Sequence, residues 1–289
     1  MDVVLQLLLN ALVAGAIYAL IASGLSFIYA TTRVFHLAHG FVVACAGYVF
    51  WWAWQEHRLP VVVSALVACC VACAVGLLMN EFIYEPLRMR KTKGLGYLVA
   101  TIALLMFGNA LLIALFGAQP HSLNIQTSVY DLSGARISLL QIGILCTTAV
   151  LLVGTLLLIR NTKFGKAMRA TADSETVAEI LGINTRNVRR LTFLLGSLLG
   201  GIAGVLVSLE FNIDPNMGVM LAIKGFTAMV IGGAGSMGGV IVGSVLLGGA
   251  EQAAVWFFGS GWKNAMAFAL LFLFLLAKPT GLFWRSRFS

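Results

Sequence analysis

Long apolar runs alternate along this chain with short polar breaks. The runs cover roughly 3–30, 40–55, 61–83, 97–117, 138–159, 191–209, 219–231, 240–258 and 264–281, and the main breaks are 84–96, 118–137, 160–190 and 210–218. Uncharged stretches near twenty residues match the length a helix needs to cross a bilayer. Only helices and closed barrels can span one, because every backbone polar group must be satisfied internally. The pattern therefore predicts an all-α, polytopic transmembrane helix bundle of about 8–9 hydrophobic segments, forming one domain over residues 1–289. The first run is long enough to tilt or bend, with Asn10, Gly15, Ser23 and Gly24 along it. The runs 219–231 and 240–258, joined by GGAGSMGG, are predicted to form a down-and-up pair, broken or re-entrant.

Composition agrees. The chain is 60% hydrophobic and 10% charged, against about 25% charged in a soluble domain. A soluble core of this size could not hide so much apolar surface, so the lipid bilayer is its solvent. The net charge of +8 is read through the positive-inside rule. No aromatic residues interleave with basic ones on a polar face, and nucleic acid is set aside as a partner. Arg88, Arg90, Lys91 and Lys93 fill one break, and Arg160, Lys163, Lys166, Arg169, Arg186, Arg189 and Arg190 another. Placing both in the cytoplasm puts the N-terminus outside, Arg33 inside, 118–137 and 210–218 outside, and the tail with Lys278, Arg285 and Arg287 inside. Only Arg58, Arg136 and Lys263 then lie outside, with Lys224 in the membrane. Trp51, Trp52, Trp54, Trp256 and Trp262 fall at the outer boundary and Trp284 at the inner one, an aromatic belt. Asp2 replaces a basic n-region and the first run is too long, so no cleavable signal peptide is expected.

One cytoplasmic stretch departs from the rest: ATADSETVAEILGIN, 170–184. Asp173 or Ser174 can cap a helix, and Glu175 sits where the helix dipole favours an acid. Gly182 sits where a glycine would end it. Val177, Ala178, Ile180 and Leu181 line one side. The prediction is a self-terminating helix of roughly two turns, about 12 Å long, between basic segments. Its acids disfavour anionic lipid, and its residues read as a docking element for a cytoplasmic protein.

Within the apolar runs, Lys224 and Glu251 fall at similar depth in the two hairpin arms and are expected to pair; intramembrane charges mark pathways or structural locks. Glu81 is expected to face headgroups. The glycine turn, with Gly232, Gly233, Gly235 and Ser236, could offer backbone N–H groups to a polar substrate or be a plain turn. The run GSLLGGIAG, 196–204, reads as close helix packing. His36 and His39 in FHLAHG, with Gly40, are expected to line a break between helices and bond exposed backbone, since the segment lacks further ligands for a metal. The cysteines, all within apolar runs, read as packing residues. No catalytic constellation, metal site or cofactor motif is present in the sequence, so an enzyme is not expected.

The stretches NALVAGAIYALIASGLSFIYA, FHLAHG, FGKAMRATADSETVAEILGINTRNVRRLTFLLG, DPNMG, IKGFTAMVIGGAGSMGGVIVGSVLLGGAEQA and KPTGLF, in this order over about 10–283, resemble the permease subunits of branched-chain amino-acid ABC importers, LivH-type. The resemblance implies a bacterial inner-membrane half-channel. It would pair with a second permease subunit, homologous or identical, be driven by two cytoplasmic ATPase subunits and be fed by an external substrate-binding protein. The helix near 173–182 resembles the family's coupling helix, with Asp173, Glu175, Ala178, Glu179, Leu181 and Gly182 as the ATPase contact. His36, His39, Gly40, Lys224, Gly232, Gly233, Gly235, Ser236 and Glu251 are the candidate pathway residues. Two stretches depart from the family's pattern: in the first, His36 stands for its Asn and Phe41 for its acid, and in the second, Gly238 stands where a Pro precedes the second Gly of the turn. The expected cargo is a branched-chain or other small hydrophobic amino acid, with urea, short amides or aromatic acids as alternatives. A carrier or channel driven by an ion gradient is the alternative of another class.

Overall fold

Every apolar run becomes helix in the computed structural model, which describes residues 2–123, 125, 127–132, 134–278 and 280–283. Trp284, Arg285 and Arg287 lie outside the described residues. The order is α1 (Asp2–Thr32), α2 (His39–Trp51), α3 (Val61–Met79), α4 (Glu85–Met89), α5 (Gly94–Phe116), β1 (Val129–Leu132), β2 (Ala135–Ser138), α6 (Leu139–Asn161), α7 (Lys163–Asp173), α8 (Glu175–Ile180), α9 (Thr185–Glu210), α10 (Met217–Gly232), α11 (Met237–Phe258) and α12 (Trp262–Ala277). π-helical turns extend α2 over Trp52–Glu56 and join α3 to α4 over Asn80–Tyr84.

Among the described residues, six helical stretches are long and apolar enough to cross a membrane: Val3–Thr32, Val61–Met89, Gly94–Phe116, Leu139–Asn161, Thr185–Glu210 and Met237–Phe258. α10 and α12 have 16 residues each, about 24 Å at 1.5 Å per residue, which is less than the roughly 30 Å hydrocarbon core. The predicted hairpin is therefore uneven, with a short arm, α10, and a full-length arm, α11. The arms meet closely: a Cβ on Gly232 would lie 2.2 Å from the Gly239 carbonyl oxygen.

The core is built on α1, α2 and α9. α1 packs against α9, α10 and α11, and α2 is enclosed by α9, α3, α10 and α5. In α9, 72% of the apolar window is buried, against 17% in α6. The central helices thus carry the packing while α5 and α6 turn most of their apolar surface outward. The small residues of 196–204 do what their spacing predicted. A Cβ on Gly196 would lie 2.9 Å from the Gly24 carbonyl oxygen, and one on Gly204 2.1 Å from that of Val43.

The polar breaks collect at two ends. At one end, the link 33–38 meets α7: Arg33 donates to the Ala172 carbonyl at 2.7 Å. At the other, the break 118–137 is tied to 210–218 by reciprocal backbone bonds between His121 and Ile213, at 2.9 and 2.8 Å. That break holds a small antiparallel hairpin of β1 and β2, with Val129 opposite Ser138. Ser138 then caps α6 in a box with Gln141. The polar loop expected here thus contains two short strands, a local addition to a helical bundle.

Candidate functional site

The polar stretch folds as two helices. Thr162 Oγ1 accepts from the Gly165 N–H at 3.0 Å and starts α7, which runs on through Asp173. Asp173 therefore ends one helix and does not cap the next. Ser174 does, its Oγ accepting from the Val177 N–H at 3.4 Å. α8 has only 6 residues, about 9 Å, shorter than the two turns expected. It stops as expected: the Gly182 N–H bonds the Glu179 carbonyl and the Ile183 N–H that of Ala178, both at 2.9 Å. Gly182 has φ of 81°, the left-handed conformation this stop requires.

The two sides of α8 have separate uses. Ala178 is buried, whereas Val177, Ile180 and Leu181 are 53%, 79% and 71% exposed, an apolar tip in the open. Glu175 turns inward instead. It pairs with Arg88 at 3.0 Å and with Arg189. Glu179 accepts from Thr185 Oγ1 at 2.7 Å. The acids of α8 therefore hold it to the bundle, and its apolar residues are what it presents.

Arg189 is the centre of this network. Its Nη2 also meets Glu85 Oε1 at 2.8 Å, with both side chains only 6% exposed. Arg88 donates to the carbonyl of Thr32 at the end of α1, at 3.4 Å. Glu81 does not face headgroups. It lies in the π-helical turn and pairs with Arg186 at 3.1 Å and with Arg190 on α9. The same turn points Tyr84 at His36, whose Nδ1 is 2.7 Å from the hydroxyl.

His36 and His39 do line the break, with ring centroids 5.9 Å apart, and both are fully buried. They do not bond backbone as expected. His36 bonds Tyr84, while His36 Nε2 and both nitrogens of His39 have no hydrogen-bond partner among the described residues. The His39 ring is seated between glycines: a Cβ on Gly24 would lie 2.8 Å from its Nε2, and one on Gly200 2.7 Å from its Cε1. Gly40 is a packing residue, since its Cβ would meet the Gly218 carbonyl at 2.0 Å. Phe41, where the resemblance expected an acid, lies against Gly108 of α5.

Several groups of the glycine turn bond within the chain. Gly235 N–H donates to Ser26 Oγ at 3.2 Å, and Ser236 Oγ caps α11 by accepting from Gly239 at 3.2 Å. The carbonyls of Ile231 and Gly232 accept from Leu282 and Phe283, at 2.8 and 3.2 Å. Gly232, Gly233, Gly235 and Ser236 thus form a turn tied to Ser26 and to the segment 281–283, with Gly235 exposed.

A cleft lies elsewhere, at the other end of the α10–α11 pair. Lys224 Nζ is 3.0 Å from Glu251 Oε1, so the two arm charges pair. Tyr18 donates to Glu251 Oε2 at 2.8 Å, Lys224 donates to the Tyr18 hydroxyl at 3.1 Å, and Lys263 lies 3.8 Å from Glu251. The cleft, of about 170 Å³, lies in front of this cluster and is lined by Tyr18, Lys224 and Lys263, by Asn212, and by apolar residues including Met217 and Leu221. Nothing in the sequence placed Tyr18 or Lys263 here; only the fold brings α1 and α12 beside the α10–α11 hairpin. Among the described residues, no group of three or more His, Cys, Asp or Glu could hold a metal ion.

Over residues 7–275 the chain matches the family model described as "Branched-chain amino acid transport system / permease component". It is 34% identical to the high-affinity branched-chain amino acid transport system permease protein BraD of Pseudomonas aeruginosa, over 97% of this chain and 96% of that protein. To the permease protein LivH of Escherichia coli it is 32% identical, with the same coverage of 97% and 96%. Among solved structures it resembles PsaBC from Streptococcus pneumoniae in complex with Fab, with a TM-score of 0.53 over 94% of this chain and 91% of that one; at 14% identity this supports the fold alone.

Proposed function

The chain belongs to the family of permease components of branched-chain amino acid transport systems, and we propose that it forms one half of the channel of an ATP-driven importer for branched-chain or other small hydrophobic amino acids. A second permease subunit completes the channel, two cytoplasmic ATPase subunits drive it, and an external binding protein delivers cargo. ATP chemistry then resides on partner chains. The end bearing Arg33, Arg88 and α8 is cytoplasmic in this reading, by the excess of Lys and Arg there. The N-terminus lies outside and the C-terminus inside the bacterial inner membrane.

The observation that carries the reading is the apolar tip of α8, held on a charged base. Val177, Ile180 and Leu181 stand in the open while Glu175 fastens the helix to Arg88 and Arg189. A push on the tip reaches α9 through Arg189, and α1 and α4 through Arg88. α9 packs on α2, which carries His39 and bounds the core. An ATPase groove that takes up the tip would move these helices together.

The test is reconstitution. The tagged chain, purified from its own cells, should bring ATPase subunits with it. Proteoliposomes of that complex should take up leucine only with ATP, and vanadate should stop them. Uptake that ignores vanadate and collapses with the proton gradient would assign an ion-driven carrier instead. Competition by urea, short amides or aromatic acids, without competition by leucine, would reassign the cargo.

A further inference from the structure

Resting on that importer reading, we propose that the cleft in front of Glu251 is a station for the carboxylate of the transported aliphatic amino acid, with Lys263 and Lys224 as its cations. Two ammonium groups, Lys224 and Lys263, share one carboxylate there, Glu251. The cluster therefore carries an excess positive charge, with Lys224 on its buried side and the partly exposed Lys263 at its edge; a buried charge left short of partners is costly. A ligand carboxylate cancels it.

Donor capacity is also left over. Each ammonium has three N–H donors. Lys224 uses one, on the Tyr18 hydroxyl, and its contact with Glu251 Oε1 at 3.0 Å is an ion pair without hydrogen-bond geometry. Lys263 makes only a loose contact with Glu251 at 3.8 Å, and lies 5.4 Å from the centre of the Phe211 ring. Glu251 is fully buried, its Oε2 accepting from Tyr18 and its Oε1 facing Lys224 as an ion-pair contact without a hydrogen bond, so it acts as the fixed anchor behind the cations. Lys263 is partly exposed and stands at the wall of the cleft.

The apolar lining fits the aliphatic body of the ligand. Ile17, Val207, Met217, Met220 and Leu221 supply apolar wall, and methionine adapts to side chains of differing branching. Asn212 adds a neutral polar group. The chemistry is that of a monocarboxylate with a short aliphatic body. The cleft lies toward the end opposite α8, since it includes Phe211 and Asn212 just beyond α9, which is where a delivered substrate enters in the importer reading.

The experiment measures binding to the detergent-solubilised transporter complex, without the external binding protein, by equilibrium dialysis. The probes are leucine, isovalerate (the carboxylate without the amine) and leucinamide (the amine without the carboxylate). Isovalerate and leucine should bind and leucinamide should not. Lys263→Gln should weaken both carboxylates by about tenfold, the effect of losing a hydrogen bond to a charged group. Lys263→Arg should restore most of it, and both variants should keep the parent's melting temperature. Absence of carboxylate binding, equal binding of leucinamide, or a Lys263→Gln variant that binds as the parent does would overturn the station. A complex that binds isovalerate in this way but fails to import leucine with ATP would keep the station and reject the leucine cargo.

Discussion

Arg189 on α9 and Glu85 on α4, 104 positions apart in the chain, meet in a buried ion pair of 2.8 Å. The same guanidinium holds Glu175, the first residue of α8. The helix that carries the exposed apolar tip is therefore tied by one side chain to the most buried of the long helices. A local contact becomes a contact of the core.

Removing that side chain should show it. Arg189→Met leaves Glu85 buried without its partner, and breaking a buried pair from one side costs about 3–5 kcal/mol. We expect a clear fall in the melting temperature of the purified complex. Arg189→Met with Glu85→Gln should be more stable than Arg189→Met alone, because no buried charge is then stranded. A double variant that melts lower than the single would contradict this account.

The tip should behave oppositely. Ile180 and Leu181 are highly exposed, and exposed substitutions usually stay within about 0.5 kcal/mol. Ile180→Asp and Leu181→Asp should leave the melting temperature of the permease in place while ATPase subunits no longer co-purify. Retained co-purification in both would move the docking surface off α8. Glu175→Lys is a poor probe of docking, since it would break the contacts with Arg88 and Arg189 and disturb the bundle itself.

Much of this was legible beforehand, for identifiable reasons. Apolar run length set the spanning helices, because a bilayer admits few alternatives. Equal depth in two arms was enough to pair Lys224 with Glu251. Gly182 marked the stop of α8 because that stop needs a positive φ. α7 was missed because KFGKAMRATAD reads as a basic loop, although Thr162 at the capping position and Phe164, Ala167, Met168 and Thr171 at helical spacing signal it. Glu81 was read by depth alone, although Arg186 and Arg190 stand four apart and so share a face of α9. Tyr18, Tyr84 and Lys263 had no local signal, since their roles depend on a π-helical turn or on packing between distant helices.

The charge cluster of the hairpin gives a further prediction. Lys224→Met and Glu251→Gln each leave the other charge with fewer partners. Tyr18 and Lys263 remain to soften the loss. Each single change should lower stability to denaturant, and the double change should cost less than the sum, by roughly 0.5–3 kcal/mol of coupling. Strict additivity would mean that the pair contributes nothing.

The glycines of α9 separate two kinds of close contact. A Cβ at Gly200 would meet the His39 ring at 2.7 Å, whereas one at Gly204 would meet the backbone carbonyl of Val43 at 2.1 Å. A ring can be shortened by mutation; a carbonyl cannot. Gly200→Ala should destabilise the complex by about 1–3 kcal/mol, the usual cost of overpacking, and adding His39→Ala should recover part of it. Gly204→Ala should force α2 away from α9 and cost more, and no truncation on α2 should rescue it. The check is a melting series on Gly200→Ala, Gly204→Ala and each combined with His39→Ala. Rescue of Gly204→Ala, or none for Gly200→Ala, would show that α2 and α9 adjust by shifting as rigid bodies rather than by yielding at His39.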